Sequence, residues 1–375
     1  MSIDAGAKLK QTLCLLIAIL LACPLLGCAK KIDYTPVTPG RELTFPRDHF
    51  AHNDFRTEWW YYTGHLFAED GNAYGFELVF FRQRTMGLYR FGIPVWWVAD
   101  PAHVSHFAIS DEAAGEFHFD ESIGLRRPNR GGSRDDTLLV WSENWRVEGI
   151  GDTMHLMANM RDGAYSIDIV LGPQKPPVLH GDHGFSQKGD GGTASYYVSV
   201  TRFDVQGYLF KDGRPLKVDH GMAWMDHEVF SGSLPKNLSG WDWFSLQLDD
   251  GSDIMAFLLH RKDGEIDSHS SGTMVSKEGK AEHFDNDGFT IEELRHWDSE
   301  DTWGTYPVKW RMRIPKYDAD LEIEAVMDDQ ELLVPMTAVD YWEGAVMVKG
   351  TVAGKPVNGR GYVEMSGRAE DFQAF

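Results

Sequence analysis

Three consecutive ionisable residues, Asp226, His227 and Glu228, interrupt an otherwise apolar stretch, GMAWMDHEVF at residues 221–230. Because successive side chains of a strand point to opposite faces, we expect Asp226 and Glu228 to share a face with Trp224. If that face points into an aromatic-lined barrel, burial and the neighbouring like charge raise the pKa of at least one carboxyl group. A carboxylic acid that stays protonated near neutral pH is what acid catalysis on an apolar molecule requires.

Two other arrangements are compatible with these residue types. Asp226 or Glu228 could pair with a buried arginine such as Arg56 or Arg202, because ion-pair networks also contain buried acids. A bulge of one residue would reverse the two faces, so that His227 would line the cavity and Asp226 would face outward. The sequence alone leaves these alternatives open.

Strands joined by tight turns must position these side chains. Asp-Gly pairs, for example at 70–71 and 250–251, stand between runs rich in aromatic and β-branched residues. This arrangement is a strong hairpin signal. Only TIEELRHW at 290–297 has the pattern of a helix, and it is short. The chain is therefore predicted to be all-β.

An internal repeat indicates two similar halves. EWWYYTGHLFAEDGNAYGFELVFF at 58–81 and GWDWFSLQLDDGSDIMAFLLH at 240–260 both begin with a tryptophan-rich strand, turn at Asp-Gly and return through an apolar strand. A second pair of similar segments lies at 207–225 and 350–365. Each half therefore begins and ends in the same way.

We predict two tandem lipocalin- or calycin-like antiparallel β-barrels, at 45–230 and 231–375. Units of this size match closed barrels, and closure removes exposed strand edges. In an up-and-down barrel the last strand pairs with the first, so the strand that carries Asp226 should lie beside EWWYYTGHL. The predicted ligand-binding side chains near Asp226 are Glu58, Trp59, Trp60, Tyr61 and Trp224.

The N-terminal segment predicts export and a lipid anchor. Residues 1–27 combine a basic start with an apolar run of secretory length, and LLGC at 25–28 resembles a bacterial lipobox. Cleavage before Cys28 would leave this cysteine lipidated, remove the other two cysteines, and make 28–44 a tether. Ala29 then favours the outer membrane, facing the periplasm. The alternative is an uncleaved anchor helix, which also exports the protein.

The charge of the chain argues against one class of partner. The formal net charge is −21, and removal of residues 1–27, which carry +1, makes it −22. Such an acidic surface repels nucleic acid, so no nucleic-acid partner is predicted. Membrane contact is expected through the lipid anchor.

Two other motifs are weaker indications of chemistry. His180, Asp182 and His183 have a His-x-x-His spacing that could hold zinc, but their loop is rich in glycine and offers no rigid support. A loop that gates a ligand is the preferred interpretation. The chain also lacks the Gly-x-Ser-x-Gly pattern of a hydrolase nucleophile. We therefore predict no metal site at this motif and no hydrolase nucleophile.

The motifs together resemble a lipocalin-like family that includes carotenoid 1,2-hydratase and the AttH proteins. The resemblance covers about residues 45–368 and is carried by HNDFRTEWWYYTGHL, SYYVSVTRFDVQGYL, GMAWMDHEVF, GWDWFSLQLDDGSDIMAF and DYWEGAVMVKG. It implies two calycin-like barrels and cofactor-free addition of water to an isoprenoid double bond. In that reaction Asp226 would protonate the alkene, with His227 and Glu228 completing the catalytic group.

The same resemblance implies that aromatic faces steady a carbocation by cation–π attraction. Core packing is the competing interpretation for Trp241 and Trp243. The aromatic residues predicted to bind ligand are Trp60, Trp224, Trp241, Trp243, Tyr341 and Trp342.

Two functions follow from these features. The first is a hydratase-like enzyme that acts on an isoprenoid or similarly apolar molecule, although the lipobox argues against a carotenoid substrate. The second is a lipid-anchored carrier of apolar ligands, for which the resemblance implies a partner in an export system. A hydratase needs a titrating acid beside its ligand, whereas a carrier does not.

Overall fold

The computed structural model describes residues 34–85, 89–90, 93–94, 100–124, 130–232, 235–334 and 340–369. The predicted signal peptide at 1–27 and the predicted lipidation site Cys28 lie outside the described residues. The fold is all-β, with two large curled antiparallel sheets, as predicted. Among the helices of the described part of the chain, none has the length and apolar character that a membrane span requires.

The first sheet contains strands from the first half of the chain. Its strands are hydrogen-bonded in the order β6-β5-β2-β1-β15-β14-β11-β10-β9-β8-β7, with β12 and β13 also paired to β14. A separate small hairpin is formed by β3 and β4. The strands are β1 (Thr57–Ala68), β2 (Ala73–Gln83), β3 (Tyr89–Arg90), β4 (Ile93–Pro94), β5 (Ala102–Asp111), β6 (Glu116–Gly124), β7 (Gly131–Ser133), β8 (Leu139–Ser142), β9 (Trp145–Ile150), β10 (Thr153–Asn159), β11 (Tyr165–Pro173), β12 (Val178–Leu179), β13 (Phe185–Gln187), β14 (Ala194–Lys211) and β15 (Arg214–Phe230).

The second sheet contains strands from the second half, in the order β19-β18-β17-β16-β25-β24-β22-β21-β20, with β23 paired to β24. Its strands are β16 (Leu238–Leu248), β17 (Asp253–Arg261), β18 (Ser271–Val275), β19 (Ala281–Asp285), β20 (Thr290–Asp298), β21 (Thr305–Ile314), β22 (Ala319–Ala325), β23 (Glu331–Leu332), β24 (Tyr341–Val352) and β25 (Lys355–Ser366). Short 3-10 helices lie at Arg47–His49, Asp190–Gly192, Asn286–Gly288 and Pro315–Tyr317. The division of the chain into separate domains at residue 230 stays a prediction.

The last strand of each half pairs with the first. In the first sheet β15 is antiparallel to β1, with Asp226 opposite Tyr61. In the second sheet β25 is antiparallel to β16, with Glu364 opposite Trp243. The predicted position of the Asp226 strand beside EWWYYTGHL is therefore confirmed.

The helix predicted at 290–297 is wrong, because this segment is strand β20, paired with β21. An isolated helix of this length is marginal in water, whereas pairing with β21 supplies hydrogen-bond partners along one edge of the segment. The charged pattern that suggested a helix belongs to the exposed face of this strand, since β20 ends the order of the second sheet.

Each curled sheet encloses an apolar core. The first core contains Trp60, Tyr62 and Met225, and the second contains Trp310 and Trp342. A third apolar cluster lies between the sheets and is built from side chains of both. We call this cluster, together with the acids described below, the inter-sheet layer. Its buried apolar members are Tyr61, Val79, Tyr197, Trp224, Leu238, Trp243, Met255, Phe257, Leu259, Ala345 and Tyr362.

Candidate active site

Strand β15 presents its acids to the second sheet and its histidine to the first core. Trp224 belongs to the inter-sheet cluster, whereas its neighbour Met225 belongs to the core of the first sheet. Of the two orientations that the sequence left open, the structure has the one in which His227 lies on the side of the first core and Asp226 faces away from it. The sequence could not choose between them because both faces of this part of β15 are buried.

Asp226 is buried among hydrogen-bond donors from its own sheet. Its Oδ1 atom accepts hydrogen bonds from Trp224 Nε1 at 2.7 Å and from Ser199 Oγ, and its Oδ2 atom accepts one from the Tyr197 hydroxyl. Burial raises the pKa of Asp226 to about 7, although these hydrogen bonds oppose the shift. In the described ranges no basic side chain pairs with Asp226, so its carboxyl group is poised to titrate near neutrality.

A hydrogen-bonded chain leads from Asp226 to the second sheet. Ser199 Oγ also contacts His180 Nε2 at 2.7 Å, and His180 Nδ1 contacts Thr273 Oγ1 at 2.9 Å. His180 is buried, and burial lowers its pKa well below the ordinary range, so it is neutral. In contrast, the side chain of His183 is 92% exposed. These two histidines therefore point apart, which removes the arrangement that a zinc site at this motif would need.

Glu228 is the acid of this strand that has a basic partner. Its Oε1 atom lies 2.9 Å from Lys188 Nζ and accepts a hydrogen bond from Ser195 Oγ. Of the two arginines that the sequence offered as partners, Arg202 binds Asp253 instead, at 2.6 Å. Glu228 is therefore held as one half of an ion pair at the end of the inter-sheet layer.

Glu364 occupies the position in the second sheet that Asp226 occupies in the first. Tyr61 and Trp243 correspond in the repeat, each stands opposite one of these acids, and their rings meet at 5.1 Å between centroids. Glu364 Oε1 accepts a hydrogen bond from Trp241 Nε1 at 2.7 Å. Burial, together with the charges of Asp226 and another acid, raises the pKa of Glu364 to about 7 despite this bond. The layer thus contains two acids that titrate near neutrality.

His227 lies on the opposite face, in a network at one end of the first core. Its ring stacks on Trp60 with centroids 4.9 Å apart, and its Nε2 atom lies 2.9 Å from Glu58 Oε1. Glu58 also bonds His52 Nδ1 at 2.7 Å and receives a hydrogen bond from Arg82 Nε at 3.0 Å. The side chain of His227 therefore does not reach Asp226 from this face.

This network has the spacing of a metal site but not its charge balance. Ligand atoms of His52, Glu58 and His227 all lie within 4.8 Å of one another. Burial raises the pKa of Glu58, but hydrogen bonds from both histidines and the charge of Arg82 lower it overall. Because the buried guanidinium already neutralises Glu58, a metal ion here would meet an adjacent positive charge. We therefore assign the network to the stability of the fold.

The predicted ligand-binding aromatics divide between the layer and the two cores. Trp60 and Trp342 belong to the cores of the first and second sheets, so their role as ligand contacts stays a prediction. Along their strands both alternate with side chains that face the layer. The predicted aromatics on the layer side are Trp59, Tyr61, Trp224, Trp241, Trp243 and Tyr341.

Several members of the site were missed by sequence reasoning. Tyr197 and Ser199 lie in the motif SYYVSVTRF, which carries no pattern typical of a catalytic group, yet both donate hydrogen bonds to Asp226. Glu364 lies in the second of the two similar segments, 350–365, and has no motif of its own. The internal repeat indicates its importance, because Tyr61 and Trp243 correspond in the repeat and Glu364 lies opposite Trp243 as Asp226 lies opposite Tyr61. This correspondence becomes visible only when the register of β1 with β15 and of β16 with β25 is known, and the sequence alone does not give that register.

Comparison with known proteins agrees with this architecture. Residues 36–368 match the family described as AttH-like. An AttH protein of Nitrosomonas europaea is 34% identical, with a TM-score of 0.79 over 89% of this chain and 99% of its own. Kievitone hydratase of Nectria haematococca is 17% identical, with a TM-score of 0.69 over 89% of this chain and 95% of its own. Among curated proteins, no sequence matches the chain.

Proposed function

Since this chain belongs to the AttH-like family, we propose that it is a hydratase-like enzyme whose reaction takes place in the inter-sheet layer. The observation that carries this proposal is the pair formed by Asp226 and Glu364, two acids of the inter-sheet layer whose pKa values are both raised to about 7. A general acid and a general base both work best when their pKa lies near the operating pH. The fold shared with kievitone hydratase is the reason to choose hydration among acid–base reactions.

The hydrogen bonds suggest a role for each acid. Asp226 accepts three hydrogen bonds, which favour its carboxylate form, so it suits the base. Glu364 receives one from Trp241 and is only partly buried, so it suits the acid that contacts the ligand. This assignment moves the proton donor expected from the resemblance, Asp226, to the corresponding position in the second sheet.

The proposed reaction balances without a cofactor. The protonated Glu364 adds its proton to one alkene carbon, which leaves a carbocation at the other carbon and a carboxylate at Glu364. A water oxygen bonds to the cationic carbon, and its surplus proton passes to Asp226. Return of that proton to Glu364 resets the pair. The indole rings of Trp241 and Trp243 face this position and favour the cation by cation–π attraction.

A carrier remains the second candidate, because one observation favours it. The three donors to Asp226 all come from its own sheet and occupy both of its oxygens. A permanently buried, fully bonded acid can serve the fold alone. In that case the layer would hold an apolar ligand without changing it.

Native mass spectrometry of the full chain after exposure to a lipid extract of the source cells separates the two functions. We expect the wild type to return a ligand 18 mass units heavier, the mass of water. Asp226→Asn and Glu364→Gln should return it unchanged. The matched control is Glu331→Gln, since this buried acid also binds three hydroxyl groups, those of Ser299, Thr302 and Tyr306, but lies in the second sheet's own core. An unmodified ligand on every variant would establish the carrier instead.

The proposal includes a place in the cell. The lipobox supports a lipid anchor at Cys28 and a position in the cell envelope facing the periplasm. An enzyme there would meet apolar molecules that partition into the membrane or cross between membranes.

A further inference from the structure

A second group of polar side chains lies in the inter-sheet layer beside the acid pair. Glu77 on β2 and His106 on β5 come from the first sheet, and Tyr341 and Glu343 on β24 come from the second. The Tyr341 hydroxyl connects His106 and Glu77, since it lies 2.7 Å from His106 Nδ1 and 3.4 Å from Glu77 Oε1. Glu343 Oε1 accepts a hydrogen bond from the Tyr61 hydroxyl at 2.6 Å. We call these residues the polar group.

Three atoms of the polar group have no hydrogen-bond partner among the described residues. They are Glu77 Oε2, Glu343 Oε2 and His106 Nε2. Both glutamates are 0% exposed, and His106 is 3% exposed. A buried polar atom without a partner costs free energy, so such atoms are rare unless a ligand or a buried water satisfies them. Glu77 and His106 contact the Tyr341 hydroxyl, and Glu343 lies two residues further along the same strand as Tyr341. The three atoms therefore mark a part of the layer where the hydroxyl of a ligand can bind.

The protonation states of these side chains define what they can bind. Burial and nearby acids raise the pKa of Glu77 and of Glu343 well above the ordinary range, so both are neutral carboxylic acids. Burial lowers the pKa of His106 to about 3, so its ring is neutral too. When Tyr341 donates to Glu77, His106 Nδ1–H donates to Tyr341, and Nε2 remains an acceptor. The group therefore offers carboxylic O–H donors and one imidazole acceptor.

The polar group lies one strand from the proposed reaction. Glu343 on β24 stands opposite Glu364 on β25, and adjacent strands are about 5 Å apart. Tyr61, which binds Glu343, stands opposite Asp226. If the polar group holds the hydroxyl of a ligand, a ligand carbon only a few bonds from that hydroxyl would therefore lie beside Asp226 and Glu364.

We infer that Glu77, Glu343 and His106 form a binding subsite for a neutral hydroxyl group, and that the ligand is an apolar alcohol whose hydroxyl lies a few bonds from its double bond. The ligand oxygen accepts from the carboxylic O–H groups, and its own O–H donates to His106 Nε2. This inference rests on the proposed function, because it names the kind of molecule that the acid pair would act on. It also explains why the described part of the chain provides no basic partner for either glutamate.

The test compares three probes that share one isoprenoid chain: farnesol, farnesene and farnesylamine. Binding to the full chain is followed by tryptophan fluorescence, since Trp224, Trp241 and Trp243 line the layer. We expect farnesol to bind at least about tenfold more tightly than either other probe, because its hydroxyl makes two or three hydrogen bonds with Glu77, Glu343 and His106. Glu343→Gln should keep this preference, since an amide replaces a neutral carboxylic acid as a donor. Glu343→Leu and Glu77→Leu should each reduce the preference for farnesol over farnesene, and the double variant should bind the two equally.

Each other outcome overturns the inference. Tighter binding of farnesylamine, lost in Glu343→Gln, would mean ionised glutamates and a cationic ligand. Equal binding of farnesol and farnesene to the wild type would mean that the three atoms are satisfied by buried water only. Retained farnesene binding by the leucine variants shows that they are folded. Hydration is read separately as a mass change, so a failure of the proposed reaction leaves this binding preference intact.

Discussion

Asp226 combines two environments that oppose each other at the scale of a single residue. Its oxygens accept hydrogen bonds from Ser199, Trp224 and Tyr197, which stabilise the carboxylate, while burial without a cation destabilises it. The second effect wins. The side chain therefore carries a proton more readily in the folded protein than in the unfolded chain, and folding takes up a proton.

This linkage predicts a specific dependence of stability on pH. The folded pKa of Asp226 is about 7 against an ordinary value of 3.8, so its stabilising effect is complete below the lower value and is lost as pH rises through the higher one. Relative to Asp226→Asn, which cannot ionise, the wild type should lose on the order of 4 kcal/mol across this window. Urea denaturation at several pH values measures the difference.

Glu364 titrates in the same window, but it is present in both proteins of this comparison. Because the charge of Asp226 contributes to the raised pKa of Glu364, a smaller part of the measured difference comes from Glu364. Parallel curves for wild type and Asp226→Asn would mean that Asp226 is ionised throughout, held by its three donors. The proposed acid pair would then lose one member.

At the scale of the element, β1 and β15 each carry two kinds of face. Trp60 and His227 face the first core, whereas Tyr61 and Asp226 face the second sheet. Strand type could be predicted from the sequence because alternation and hairpin chemistry are local, and the pairing of β15 with β1 followed from the expected closure of the barrel. The choice of interior face could not, because both faces of these strands are buried and aromatic. A second sheet, distant in sequence, covers the face that would otherwise meet water.

One end of these strands is joined by a buried ionic network. Glu58 on β1 stands opposite Arg82 on β2 and also bonds His227 on β15. Removal of one partner leaves the other charge buried and uncompensated. We expect Arg82→Met to lower the free energy of unfolding by about 3–5 kcal/mol, measured by urea denaturation.

The double variant Glu58→Gln with Arg82→Met should be less destabilised than the sum of the single variants, since no charge is then left alone. Asp136→Asn provides a matched control, because it breaks an ion pair with Arg134 in which both side chains are more than half exposed. It should leave the free energy of unfolding almost unchanged, because exposed ion pairs contribute little. Additive effects of the first two substitutions would argue that Glu58 and Arg82 act independently.

At the scale of the whole molecule, the site exists because two sheets pack against each other. An added Cβ atom at Gly75 on β2 would lie 2.5 Å from the Tyr362 hydroxyl on β25, so the sheets approach closely here. Near the acid pair, Trp243 Nε1 of the second sheet donates to the Tyr197 hydroxyl of the first at 2.8 Å. The repeat predicted two similar halves, but nothing local in the sequence states how two halves meet. The inter-sheet layer therefore could not be predicted.

A buried cluster of charged side chains also connects the two sheets, around Asp253 on β17. Asp253 on β17 binds Lys175 Nζ at 2.6 Å and the Arg202 guanidinium at 2.6 Å, and it accepts a hydrogen bond from Thr201 at 2.8 Å. All three partners come from the first half of the chain. With this cluster and the layer intact, we expect both sheets to unfold in one calorimetric transition, with equal calorimetric and van't Hoff enthalpies.

Loss of this cluster should uncouple the two sheets. Asp253→Asn leaves the charges of Lys175 and Arg202 without their carboxylate. We expect this to weaken the association of the two sheets by about 3–5 kcal/mol. Scanning calorimetry should then resolve two transitions, and farnesol should bind more weakly because the layer opens. Asp320→Asn is the control, since its exposed pair with Arg311 lies within the second sheet alone and should leave one transition. Two transitions already in the wild type would show that the sheets are independent domains, and the site would then form only when they close on a ligand.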